Sequence, residues 1–508
     1  MADETRDPPL PTTPSLRANW ISLAGAVLAG AAFFAAASLI AIDIFRGFAN
    51  PYLGILTYLV APAFLALGML LIALGAARER RRRRDLEPGT TPAYPRIDLG
   101  VPHQRHVLAG VVVVTAVILL FTALGTYRAY GFTESVAFCG QTCHGVMRPE
   151  YTAYQESPHA RVPCVDCHIG PGATWFVRSK LSGVYQVYAT IAGAYHRPIP
   201  APIEHLRPAQ DTCEQCHWPR KFYGATQRIF RHRLGDEKNS PWTVEMLLRI
   251  GGGDAQFGPA GGIHWHMNIA NKVEYIATDR ERQVIPWVRI TDGRGNATVY
   301  QTTDDPLRPE QIAAAQPRVM DCIDCHNRPT HIYDPPVYSV DLAMATNRID
   351  PAIPFIKKEA VLALTGKYAT TADALTGMSR ALRGFYSARY PEFAARNPRL
   401  LEDAFAAVEQ IYVHNFFPDM KADWRAYADN VGHKDFPGCY RCHDGKHVSA
   451  DGKRVTHDCD ACHTIVAQGA EGSIERRLEG LAFRHPVDIG DVWKQASCSD
   501  CHDGALVQ

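Results

Sequence analysis

The placement of cysteines constrains this chain more than any other feature: its 508 residues include 14 cysteines, and every one belongs to a pair followed at once by histidine. Six pairs read C-x-x-C-H: Cys164/Cys167/His168, Cys213/Cys216/His217, Cys322/Cys325/His326, Cys439/Cys442/His443, Cys459/Cys462/His463 and Cys498/Cys501/His502. The remaining pair is one residue wider, Cys139-Gly-Gln-Thr-Cys143-His144. Two thiols about a turn apart can form thioethers to the two vinyl groups of one haem, and the next residue then aims its imidazole at the iron. Structural zinc needs four ligands from paired knuckles, with no histidine fixed after each pair. A redox C-x-x-C has no reason to recur in this way. The wider motif fits as well, because a thioether pair tolerates an extra loop residue. The pattern predicts seven covalent haem c groups, the fourteen cysteines attaching them and the seven motif histidines ligating iron.

Three apolar runs precede the first motif, roughly Trp20–Ile42, Tyr52–Ala77 and Val107–Thr126. Each is close to the ~20 residues a helix needs to cross a bilayer. The first is too long for a signal-peptide core, and a second follows almost at once. Pro62 in the second run is tolerable in a membrane helix if neighbours satisfy the freed carbonyl. Arg78 and the run Arg80–Arg84 directly follow the second span, and short Arg-rich loops stay on the cytoplasmic side. The third run then crosses outward, placing the motifs in the periplasm, where covalent haem attachment takes place in bacteria. The predicted location is the bacterial inner membrane with a cytoplasmic amino terminus. A net charge of +1 gives no footprint for nucleic acid.

The expected fold class is mainly α: three transmembrane helices and a haem-packed periplasmic multihaem cytochrome c domain with little regular sheet. Its expected parts are a disordered tail at 1–18, a two-helix membrane hairpin at 19–77, a basic loop at 78–105 and a third span at 106–127. A triple-haem module follows at 128–217, then a linker region with the fourth haem at 218–430, and a C-terminal triple-haem module at 431–508. In the linker, Val284–Thr291 and Ala297–Thr303 flank the turn 292–296 and read as one small β-hairpin. From Asp341 to Asp429 the pattern is helical, with Leu401, Phe405, Val408 and Ile411 on one face.

Electron-transfer haems need a sixth ligand, usually a second histidine. Position favours His159, His331, His433, His447, His485 and, from the pair His264/His266, His266, with His457 in reserve. His196, His205, His232 and His414 read as non-ligands. For the first haem the nearest candidate is Met147, three residues after His144; packing on the porphyrin is the other reading.

The stretch Phe138-Cys139-Gly-Gln-Thr-Cys143-His144-Gly-Val-Met147, then Glu156-Ser-Pro-His159 and Cys164-Val-Asp-Cys167-His168-Ile-Gly, resembles the NapC/NirT family of membrane-anchored quinol dehydrogenases. The resemblance covers roughly residues 107–217, and the whole chain looks like the larger inner-membrane members found in metal-reducing bacteria. It implies oxidation of a membrane quinol, menaquinol or ubiquinol, at the haem nearest the bilayer, with electrons passing to periplasmic c-type cytochromes or reductases. Met147 matches the methionine beside the family's first haem, and Lys180 in Arg178-Ser-Lys180-Leu matches a lysine of its quinol pocket. A cation there could hold a quinol oxygen and favour proton loss; a lysine snorkelling at the membrane surface is the alternative. The chain departs from the pattern in its wider first motif, its two extra spans, and the absence of a carboxylate between Leu181 and Gly193, where Gln186 is the nearest polar residue. Two other readings compete with the quinol dehydrogenase. One is a non-catalytic relay or store, the other a terminal reductase at an open haem. Reverse flow into the quinone pool uses the same parts, and a homo-oligomer is left open.

Overall fold

The computed structural model describes residues 16–17, 19–46, 60–84, 100–103, 105–106, 109–110, 113, 128, 131–142, 144–170, 172–203, 207–251, 261–267 and 271–506. The chain forms two compact units, Met1–Thr133 with Ile169–Gly183, and Glu134–His168 with Val184–Gln508.

The first unit holds two helices, Trp20–Arg46 and Ala61–Arg84, each long and apolar enough to cross a membrane. They pack through small residues. A side chain added at Gly25 would strike the Gly68 backbone, and one added at Gly68 would strike the backbone of Ala29. Such close backbone approach is how membrane helices gain contact when lipid offers no hydrophobic drive. Ser22 Oγ donates to the Ile72 carbonyl across the pair at 3.1 Å. The second helix ends on Arg81–Arg84, cations at its negative pole. The third expected span, Val107–Thr126, falls almost wholly outside the described residues.

The second unit carries more sheet than the expected single hairpin. That hairpin is present: β4 (Trp287–Thr291) and β5 (Ala297–Thr302) pair antiparallel from Thr291 opposite Ala297. It is the middle of a five-stranded sheet ordered β6-β3-β4-β5-β7, with β3 at Lys272–Ile276, β6 at Arg318–Val319 and β7 at His447–Ser449. A four-stranded sheet, β1-β2-β8-β9, joins Ala225–Arg233 and Pro241–Arg249 to His463–Ala470 and Glu475–Arg476. Expecting a single hairpin was therefore too little. Where a strand pairs with one two hundred residues away, as β2 does with β8, no local turn announces it. Of the local turns that join paired strands, the one between β4 and β5 is the one read from the sequence.

Four helices, Pro336–Ala345, Ile356–Leu364, Thr371–Arg389 and Pro398–Asn415, build an apolar core from side chains alone. Ala374, Met378, Leu382 and Tyr386 recur every fourth residue and are all buried, as are the expected Leu401, Phe405, Val408 and Ile411. Each buried Leu, Ile, Val, Met or Phe among them stabilises by about 1.5–3 kcal/mol. The β1–β2 turn docks on this core. Buried Asn239 donates to the Pro351 and Ile353 carbonyls at 2.9 and 2.8 Å and accepts from Lys357 N. The ammonium of Lys357 meets Asp341 at 2.7 Å.

Asp334, before the first of these helices, is pushed up to about 6 by burial and then by Asp429. Its unfolded value is 3.8, so between these values the folded chain binds the proton and its stability falls as pH rises. Asp334→Asn is expected to stabilise the fold by about 3 kcal/mol at pH 7. That gain should shrink from pH 6 downward and vanish below pH 4. Denaturant melts of both proteins at pH 4 and pH 7 check this, and an equal effect at both pH values would refute it.

Candidate functional site

The cysteine pairs sit on short helical turns, and the backbone explains the spacing. In the turns at Ala209–Cys213 and Cys322–Cys325, the motif histidine N–H donates to the first cysteine's carbonyl, His217 to Cys213 and His326 to Cys322, both at 2.8 Å. The same bond closes His443 on Cys439 at 3.0 Å and His502 on Cys498 at 2.8 Å. One turn thus gathers both thiols and the imidazole on one side. The turn Cys164–His168 repeats this arrangement. In the wider first motif, Phe138–Thr142 forms a π turn that absorbs the extra residue. Cys143 and the His144 side chain fall outside the described residues.

The protein does not enclose all of these thiols equally. Cys216, Cys439, Cys459 and Cys501 are exposed, and the other described cysteines are half-buried. Cys501 holds its place on the last turn, its N–H donating to the Cys498 carbonyl at 3.2 Å, while its side chain lies open. A cysteine used only for packing is among the most buried residue types, so Cys501 is not a core residue. An attached porphyrin needs room that packed side chains would deny, and exposure at these four positions suits attachment.

Six motif histidines each face a second histidine. Ring centres are 6.1 Å apart for His217 and His159, 6.3 Å for His168 and His331, and 6.3 Å for His326 and His264. They are 5.8 Å apart for His443 and His266, 6.2 Å for His463 and His433, and 6.0 Å for His502 and His485. Two metal–imidazole bonds of about 2 Å, plus roughly 1 Å from each nitrogen to its ring centre, give ~6 Å. The pairs therefore fit an iron between them. The orientation fits too. Nδ1 is tied to a backbone carbonyl in His159 (Pro329, 3.2 Å), His331 (Glu150, 3.0 Å), His264 (Ile250, 3.0 Å), His266 (Ile263, 3.0 Å) and His485 (Val487, 2.8 Å). A donating Nδ1–H leaves Nε2 as the metal-binding atom and fixes the ring. The pair His433/His463 differs: both Nδ1 atoms are buried without a partner. His433 is braced instead by stacking on Tyr440, with ring centres 4.2 Å apart.

Burial, then the facing His331, holds the His168 imidazole below its usual range. Burial, then His463, does the same for His433. The neutral form is the one that ligates. Among the described residues no three His, Cys, Asp or Glu side chains converge on a metal position, as a zinc knuckle would require.

Of the histidines favoured as distal ligands, His447 does not meet a motif histidine. It lies in β7, 1% exposed, with Nε2 on the Ile285 carbonyl at 2.7 Å and Nδ1 on Asp444 at 2.9 Å. Both ring nitrogens are engaged, so His447 is a sheet residue, and the imidazole that faces His326 is that of His264. In sequence, His264-Trp-His266 reads as a pair that supplies one ligand. In the 3₁₀ turn Ile263–Met267, at about 120° per residue, two residues apart point in different directions and can serve two irons. The reserve His457 packs on Tyr440 at 4.9 Å. Of the expected non-ligands, His232 and His414 pair with Asp341 at 3.3 Å and Glu156 at 3.7 Å, His196 is exposed, and His205 lies outside the described residues.

Met147 stands on the helix His144–Glu156, one turn after His144. Lys180 is half-buried on the helix Ala173–Ala192, its ammonium 3.3 Å from Thr133 Oγ1.

Thiols of successive motifs are neighbours. Cys139 and Cys164 are within hydrogen-bond reach, as are Cys213 and Cys322. Cys167 and Cys216, Cys325 and Cys439, Cys439 and Cys462, and Cys459 and Cys498 are close enough to interact electrostatically. The attachment turns thus follow one another in space in the order they follow in sequence.

Paired thiols on helical turns, with six of the turn histidines each facing another across the width of an iron, are the arrangement of a c-type cytochrome. Residues 101–200 match the N-terminal region of the NapC/NirT cytochrome c family. Over 487 residues the chain is 44% identical to the cytochrome c-type protein ImcH of Geobacter sulfurreducens, covering 96% of this chain and 95% of that protein. No solved structure matches. The chain belongs to the NapC/NirT cytochrome c family, whose members are membrane-anchored electron-transfer proteins carrying covalent haem c.

Proposed function

We propose that this chain is a membrane quinol dehydrogenase that draws electrons from menaquinol or ubiquinol and delivers them, through seven c-type haems, to periplasmic acceptors. The observation that carries the reading is the set of attachment turns, each beside the next in sequence and six of them with two facing imidazoles, on a membrane-anchored chain. When bound, the haem irons take up and release one electron each. Each motif's two cysteines would hold one haem edge, and its histidine would ligate from one face. His331, His159, His264, His266, His433 and His485 would close the other face of haems two to seven in that order. Met147 is the proposed sixth ligand of the first.

Oxidising one quinol releases two electrons and two protons. Lys180 would hold a quinol oxygen through its ammonium, stabilising the negative charge that develops as the hydroxyl proton leaves. The Ala173–Ala192 helix supports that role by presenting Lys180 among apolar side chains, with Val177, Leu181 and Val184 exposed around it. The basic end of the second apolar helix supports a cytoplasmic amino-terminal segment and a periplasmic haem domain at the inner membrane.

Anaerobic mixing of the purified holoprotein with a reduced menaquinone analogue, followed at the haem α-band, tests the proposal. Native protein should be reduced rapidly, and Lys180→Ala should slow this by about tenfold or more. Protein that stays oxidised with quinol while dithionite reduces every haem would instead be a relay fed by another protein.

A further inference from the structure

The geometry points to haems four and five being held as one unit: the single turn Ile263–Met267 supplies both distal ligands, His264 opposite His326 and His266 opposite His443. This rests on the ligand reading above and adds a positioning device to it. The other four distal histidines, His159, His331, His433 and His485, each come from a separate segment.

The turn is rigid for three reasons. Its start crosses the end of β2, where Gly251 and Gly262 both take positive φ (42° and 83°) and their backbones nearly touch. A side chain on Gly262 would run into the Arg249 carbonyl, and one on Gly251 into the Gly261 carbonyl. Next, the two ligand rings are tied to carbonyls at either end of that crossing, His264 to Ile250 and His266 to Ile263, each at 3.0 Å. Finally, Trp265 between them packs on the apolar cluster of Val273, Tyr275, Ile285 and Val288, which Cys442 of the fifth motif also joins.

The attachment sides of the same two sites are fastened to each other. The Asp324 carbonyl, inside the fourth motif, accepts from Arg441 Nη2 at 2.8 Å, inside the fifth, and from Asn430 Nδ2 at 3.0 Å. Arg441 Nη1 also donates to the Arg282 carbonyl at 2.8 Å. Both faces of both sites therefore belong to one rigid block. Its consequence is that neither imidazole can move without the other: a change at the turn reaches two irons together. Gly262 and Trp265 act here as positioning residues, since neither ligates.

The test counts high-spin haems by electron paramagnetic resonance in the oxidised full-length holoprotein, relative to native protein. His264→Ala and His266→Ala are each expected to add one high-spin haem per chain. Gly262→Val, which removes no ligand, should add two. If that variant does not accumulate with haem, Trp265→Ala in the same assay leaves the glycine crossing intact and should likewise add two. A gain of none or one from these positioning variants, with the histidine variants behaving as stated, overturns the shared turn and leaves the ligand reading standing. No gain from either histidine variant overturns the ligand reading itself, and the shared turn with it.

Discussion

Replacing Asp324 with alanine is expected to destabilise the haem domain by about 3–5 kcal/mol, among the largest effects a single substitution can have here. The carboxylate is 3% exposed. It accepts from Tyr275 Oη at 2.7 Å, Arg318 Nε at 2.8 Å, Arg282 Nη1 at 3.1 Å and the Asp321 N–H at 2.8 Å. Removing it takes this acceptor from the buried Tyr275 phenol and the Arg282 guanidinium, and leaves Arg318 on Asp321 at 3.0 Å. It also dissolves the reciprocal cap that starts the Cys322–Cys325 turn, in which Asp321 accepts from Ile323 N at 3.0 Å. The fourth haem should then attach incompletely. Asp324→Asn keeps one acceptor oxygen and should cost less. Denaturant unfolding, with haem stoichiometry by intact mass, measures both effects. A loss under 1 kcal/mol with full haem content would falsify the account.

His433→Met should change the coordination of one haem, and His447→Met should change none. Methionine opposite histidine favours the reduced iron, so in the first variant one potential should rise by on the order of 0.1 V. The pairing of His433 with His463 at 6.2 Å predicts which haem responds. In the second variant the loss is structural. The imidazole that joins Asp444 to the Ile285 carbonyl disappears, and stability should fall by about 1–3 kcal/mol with every low-spin signal retained. A spectroelectrochemical titration of both variants decides between them. If His447→Met produced the shift, the fold around β7 would have to be rebuilt.

The histidine readings show where local pattern stops being informative. His159, His331, His433 and His485 lie near a motif in sequence, and all four do face a motif histidine, yet not always the adjacent one. His159 precedes the second motif but faces His217 of the third, and His331 follows the fourth but faces His168 of the second. A porphyrin puts its two ligands on opposite faces, so the distal one comes from whatever segment folds over that face. His447 failed because nearness in sequence cannot distinguish a strand residue from a ligand. The Pro398–Asn415 helix was legible from its own period, whereas β2 and β8, whose pairing spans two hundred residues, were not.

What the covalent chemistry requires is readable along the chain: two thiols and an imidazole within one turn, repeated, and apolar runs of bilayer length before the first of them. Those are local properties, set by backbone spacing and side-chain type. Which histidine meets which motif, that one three-residue segment brings an imidazole to each of two motifs, and that successive attachment turns stand side by side came from the folded chain. Each of these depends on bringing distant segments together, and that is governed by long-range packing and strand pairing rather than by local spacing.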